Sequence, residues 1–152
     1  MDPLLNSRIG IATVYDRHYY KFSSYLNTLK LPFNSILPEE ILEYSENLIL
    51  TIMKESPKTC EIPILHEDIF EYYTTVLRGL MMQKLNLDFE EEILIMGIDP
   101  GQRIGLSIFY YGKEIENSFD SSVEKLVFHI IGVLGGLRAK RKIIKIGDGN
   151  ME

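Results

Sequence analysis

The stretch Ile93-Leu94-Ile95-Met96-Gly97-Ile98-Asp99-Pro100-Gly101-Gln102-Arg103-Ile104-Gly105 constrains what this chain can fold into more than any other. A short apolar run with β-branched residues ends in a carboxylate and meets Pro-Gly at once, which predicts a buried strand delivering Asp99 into a tight turn. Pro100 pre-sets φ for the first turn position and Gly101 accepts φ > 0, so the run from Leu106 to Tyr111 should return as the partner strand of a hairpin. Gly105 would let another backbone or a ligand approach the sheet. On these residues alone, an ordinary turn aspartate explains Asp99 as well as a functional one does.

Downstream, the Tyr111-Gly112-Lys113 turn leads into a short third strand near Glu114 to Ser118. Ser121-x-x-Glu124 has the capping-box pattern of a helix start, and Val123, Leu126, Val127, Ile130, Ile131, Leu134 and Leu137 form an apolar stripe of helical period. His129 falls off that stripe and is expected to be exposed. Gly132, Gly135 and Gly136 weaken the helix late, and it should end by about Arg138. Lys142 to Gly147 then reads as a fourth strand, delivering Asp148 into Gly147-Asp148-Gly149-Asn150 as the first strand delivers Asp99.

A strand, Asp99-x-Gly101, a second glycine at Gly105 and a returning strand, followed by strand, helix and strand, resembles the opening of the ribonuclease H-like superfamily, particularly its RuvC and YqgF branch. The resemblance covers residues 91 to 152 only. It implies that the first and fourth strands lie side by side and parallel, with Asp99 and Asp148 at the same sheet end. It further implies that both acids bind Mg²⁺ or Mn²⁺, hard cations that prefer carboxylate oxygen and can activate water against a phosphodiester. Glu124 falls where classical members carry a third metal-binding carboxylate, although a first-turn glutamate is also favoured by the helix dipole. Arg138, Lys140, Arg141, Lys142 and Lys145 would neutralise nucleic-acid phosphates beside that site, or equally form a solvated helix end that complements the dipole. Complete members continue with further helices, a fifth strand and another acid. This chain is therefore expected to be a fragment or a degenerate domain, without full nuclease activity, whose open sheet edge could pair with a second copy.

Two other readings use the same residues. Asp99-x-Gly101 is similar to the first phosphate loop of actin-like ATPases and sugar kinases, but those enzymes need two such domains and a much longer chain. A non-catalytic interaction module in a nucleic-acid-processing complex would take the acids as turn residues, indifferent to divalent metal.

With 152 residues, 45% hydrophobic and 25% charged, the chain has the composition of a soluble globular protein of one or two domains, and its alternating strands and helices predict an α/β fold. Its net charge of −6 argues against a general nucleic-acid coat, yet the charge is uneven: residues 93 to 152 carry a net +1 and the first 92 a net −7. Two regions with different surfaces follow, a small α/β domain over residues 1–90 and the ribonuclease H-like part over 91–152. No apolar run reaches the roughly 18 residues of a membrane span, and the N-terminus lacks the pattern of a signal peptide, so the cytoplasm is the expected location. Cys60 is the sole cysteine, which excludes an internal disulfide and a cysteine-rich zinc module.

In the first region, strands are predicted at Arg8 to Tyr15, Phe33 to Leu37 and Leu48 to Met53, with a doubtful edge strand at Glu61 to Leu65 because of Pro63. Helices are predicted over Arg17 to Leu31, briefly from Pro38, and over Glu67 to Leu85, the last with Ile69, Tyr72, Tyr73, Val76, Leu77, Leu80 and Met81 on one face. The order resembles a response-regulator receiver, but Tyr15-Asp16 offers no acidic pair and Leu48 to Met53 ends without aspartate. No phosphoacceptor role is expected. His66-Glu67-Asp68 is better explained by the helix dipole than by a metal site, and the tyrosines by half-buried core than by base stacking.

Overall fold

Ile9–Ala12 is buried at every position and forms β1, the inner strand of the first sheet. A strand buried on both faces belongs in a parallel sheet covered by helices, and β1 pairs in parallel with β2 (Asn34–Ile36) on one side and β3 (Leu48–Leu50) on the other. A short β4 (Ile64–Leu65), also parallel, completes the order β2-β1-β3-β4. Pro63 immediately precedes β4, and the strand sits at the sheet edge, where a missing N–H is tolerated. The computed structural model describes residues 3–43, 46–85 and 91–147. The chain is a mixed α/β protein that divides into two compact units, Met1–Asn86 and Leu87–Glu152.

In the first unit α1 (Asp16–Thr28) buries Phe22 and Leu26. Lys30 follows at φ 58, the left-handed conformation that ends the helix before Pro32. The helix predicted over Glu67 to Leu85 is broken instead: a 3₁₀ segment covers Glu67–Glu71, Tyr72 is extended at ψ 151, and α2 begins at Thr74 and ends at Leu85. The break has a cause in packing. Tyr25 of α1 donates its hydroxyl to the Phe70 carbonyl at 2.5 Å, taking a backbone acceptor that a continuous helix would use, while the Phe70 ring packs 4.8 Å from Phe22. Tyr72 and Tyr73 are consequently exposed, and α2 buries Val76, Leu77, Met81 and Met82.

In the second unit β5 (Ile93–Asp99) and β6 (Ile104–Tyr110) form the expected antiparallel hairpin. Tyr111 and Gly112 both have positive φ (53° and 75°), which matches the right-handed twist of the flanking strands in a two-residue turn. Strand β7 (Lys113–Asp120) returns against β6 with one irregularity: Phe109 faces Glu114 but Ile108 faces Glu116, so Ile115 is an inserted, bulged residue. Helix α3 (Val123–Gly136) and β8 (Arg141–Ile146) follow, and β8 pairs in parallel with β5. The sheet order is β7-β6-β5-β8, so β7 and β8 are its edges among the described residues.

Alternation along the strands sorts the sheet into two faces. Leu94 and Met96 of β5 and Ile104, Leu106, Ile108 and Tyr110 of β6 are buried, and the same face carries Glu116, whose Oε1 lies 2.6 Å from His129 Nε2 of α3. Helix α3 therefore covers this face, burying Leu126, Ile130, Val133 and Leu137 while Val123, Val127 and Ile131 of the predicted stripe stay exposed. His129 is half-buried and ion-paired rather than merely exposed; the bond to Glu116 raises its pKa, against the opposing effect of burial, with the charges of Glu116 and Asp120 adding to the rise. The N-cap falls one residue later than the pattern predicts: Ser122, not Ser121, accepts the Lys125 N–H at 3.3 Å, and with lysine rather than glutamate at that third position the reciprocal half of a capping box is not formed. Asp120, the last residue of β7, accepts the Ser122 N–H at 2.9 Å and so carries the strand further than the capping pattern suggests.

Ser122→Ala should cost about 1 kcal/mol, read as a lower denaturant midpoint with an unchanged slope. The raised His129 pKa means that its pair with Glu116 stabilises fully below the ordinary value of 6.5 and is lost as pH climbs through the raised one. Thermal stability should therefore fall over that window in the wild type and fall less in His129→Gln; identical pH profiles would remove the pair from any stabilising role.

Candidate functional site

Asp99 ends β5 and is exposed at the mouth of the first hairpin of the second unit. Its neighbours across the sheet are small on both sides. It faces Gly105 on β6, where an added Cβ would stand 3.5 Å from the Asp99 Cβ. On the other side the Gly147 N–H, just past the end of β8, donates to the Ile98 carbonyl at 2.8 Å, and a Cβ on Gly147 would lie 3.8 Å from Asp99 Oδ1. The β5–β8 register, Ile98 opposite Ile146, is what carries Gly147 to this carboxylate. Asp148, the next residue in sequence, lies outside the described residues.

Glu124 occupies the first turn of α3 and is exposed, on the helix that covers the face opposite to the one Asp99 shares with Gly105. Among the described residues no three His, Cys, Asp or Glu side chains stand close enough together to hold a metal ion. The five basic residues do not form one patch. Arg138 is engaged by Glu92 at 3.4 Å, and Lys142 donates to the Leu134 carbonyl at the end of α3 at 2.5 Å. The Tyr111 hydroxyl, 2.8 Å away, and then Arg138 hold the Glu92 carboxyl below its usual range against the opposing effect of burial. Lys140 donates its backbone N–H to the Glu92 carbonyl at 2.8 Å. Arg141 and Lys145 remain on the Asp99 side, since they pair with Ile93 and Gly97, which alternate with the buried Leu94 and Met96.

Two further side chains join Asp99 on that face, and the sequence reading singled out neither. Phe119 of β7 faces Gly105 and is 61% exposed, a high value for a phenylalanine inside a strand. The Arg103 guanidinium sits 4.7 Å from the centre of the Phe119 ring, a cation–π contact. Only alternation counted back from the bulge at Ile115 could have found Phe119, because without the bulge it points to the other face.

At the carboxyl ends of the first unit's strands the polar groups bond one another, whereas His18 Nδ1 and Glu46 Oε2 are buried without a hydrogen-bond partner among the described residues. In an open parallel sheet ligands gather beyond the carboxyl ends of strands where the strand order reverses, here at β1 and β3. Thr13 Oγ1 donates to Glu55 Oε1 at 2.5 Å and the Val14 N–H to Glu55 Oε2 at 3.0 Å, so Glu55 bonds this end to itself. His66 bonds Ser56 at 3.0 Å and Glu67 accepts the Met53 N–H at 2.7 Å. Burial would raise the Glu67 pKa, but its backbone hydrogen bonds and the charges of His18 and His66 outweigh that and lower it.

No helix among the described residues is long and apolar enough to cross a membrane. No protein-family model matches the chain, and neither a curated protein nor a solved structure matches it.

Proposed function

We propose that the second unit is a divalent-metal-dependent nuclease or resolvase-like domain of ribonuclease H-like type, acting on nucleic-acid phosphodiesters. The observation that carries this reading is the parallel pairing of β5 with β8, in the register that sets Gly147 against the Asp99 carboxylate. The next residue, Asp148, is the second acid the resemblance calls for. The donors suit the metal: carboxylate oxygens are the hard ligands that Mg²⁺ and Mn²⁺ prefer, and the residues beside Asp99 on the neighbouring strands are Gly105 and Gly147, which leave room there. Asp99 and Asp148 would hold the ion; Glu124, the third acid the resemblance names, stands on the helix of the opposite face and would have to reach round the sheet end. When bound, the ion would supply an activated water and neutralise charge on the phosphate. The chain's own part is to anchor Asp99 at a strand end fixed by neighbours on both sides, and to offer Arg141 and Lys145 to the phosphates on the same face.

A non-catalytic module in a nucleic-acid-processing complex, with the acids as turn residues, is the second reading; Asp99 does sit at a hairpin mouth, where a turn aspartate is ordinary. Under either reading the cytoplasm suits a chain with one cysteine, and β8, a sheet edge among the described residues, suits pairing with a second copy.

Asp99→Asn should lower Mg²⁺-dependent cleavage by about a hundredfold or more while leaving the melting temperature near wild type, because several kcal/mol of transition-state stabilisation would go with the ligand. Equal calorimetric heats on titrating Mg²⁺ or Mn²⁺ into both proteins would remove Asp99 from any metal site. Arg141→Ala and Lys145→Ala should each reduce the salt dependence of nucleic-acid binding by about one unit of slope, and Arg138→Ala by less, since Glu92 already engages it.

A further inference from the structure

The sheet face away from α3 is a mixed surface, neither a solvated polar face nor an apolar one. Phe109 and Phe119 stand on it, 36% and 61% exposed, separated by Ser107, Asn117 and Gly105, while the half-buried Ile93, Ile95 and Ile143 occupy β5 and β8 beside Phe109. Phe109, Ile95 and Ile143 stand side by side across β6, β5 and β8, an apolar strip one side chain wide that ends in the cations of β8 rather than in further apolar residues. From Phe119, level with Gly105, to Phe109 is four residues along β6, about 14 Å at the usual rise per residue. The basic side chains of the face lie on the opposite half, with Lys145 and Arg141 on β8, two strand spacings or about 10 Å from β6. Asp99 lies between the aromatic and the basic halves.

We infer that this face binds single-stranded nucleic acid, with unpaired bases stacked on Phe119 and Phe109 and the phosphates running toward Lys145 and Arg141. Exposed rings on a sheet bind bases in a sequence-tolerant way because every base has a π-face, and a duplex keeps its bases stacked on one another and out of reach. The rings stand on β6 and β7, with Glu114 opposite Phe109, and the cations Arg141 and Lys145 stand on β8 at the other edge. Arg103 extends the Phe119 platform, since a guanidinium plane itself stacks on bases. Gly97 and Gly105 keep the floor between the two halves low: a Cβ at Gly97 would meet nothing within 4 Å. This inference deepens the proposed function by naming its substrate class, and it rests on that site receiving nucleic acid, not on the metal chemistry.

The test is fluorescence anisotropy with labelled oligodeoxythymidine and oligouridine of about 12 nucleotides, and with a duplex of the same length, at low salt in EDTA. Wild type should bind both single strands more tightly than the duplex, and the stronger of the two assigns DNA or RNA. Phe119→Ala and Phe109→Ala should each weaken single-strand binding about tenfold, with Phe119→Trp restoring it. Unchanged affinity in both alanine variants, a preference for duplex, or no binding by wild type would overturn the inference. Asp99→Asn keeps the two proposals apart. If it abolishes cleavage but binds the single strand normally, both stand; if wild type cleaves nothing yet the phenylalanine effects appear, only the nuclease reading fails.

Discussion

The second unit depends on one backbone ladder, the parallel pairing of β5 and β8 over Ile93–Ile98 and Arg141–Ile146. Parallel strands cannot be joined by a tight turn, so the chain must return through a crossover, and β6, β7 and α3 make up that return. The ladder then fixes what stands beside the Asp99 carboxylate at the β5 end. A slip of one residue would swap every β8 side chain between faces, turning Lys145 away from Asp99 and Lys142 away from the α3 carbonyl it now bonds.

Much of this was legible in the sequence because it is written locally. Pro100-Gly101 and Tyr111-Gly112 mark turns whatever surrounds them, and the strands around them show their period in few residues. The parallel neighbour relation between β5 and β8 was not written locally; it came only as an implication of the resemblance. The first unit shows the same division. Its strands were visible as apolar runs, but the break between Glu71 and Thr74 was not, since its cause is a hydroxyl from Tyr25 some 45 residues earlier.

The candidate site was partly legible for the same reason. Asp99 announces itself through the turn that follows. The basic run looked like a unit because its members are adjacent in sequence, whereas a strand sends neighbours to opposite faces and Glu92 and α3 each claim one of them. Arg103 and Phe119 were invisible because their meeting needs three strands in register. His129 was misjudged from its helix alone, its partner being Glu116 on a different element.

The bulge at Ile115 has a consequence beyond local geometry. Started from the same tight turn, an unbulged ladder would place Phe119 and Asn117 beneath α3 and turn Glu116 outward, away from His129. That competing arrangement would gain a buried aromatic ring but trap an amide under an apolar helix and sever an ion pair, a poor exchange. Slippage is thus opposed by polar groups rather than by hydrophobic ones, and a large ring is kept in water by the requirements of its more hydrophilic neighbours.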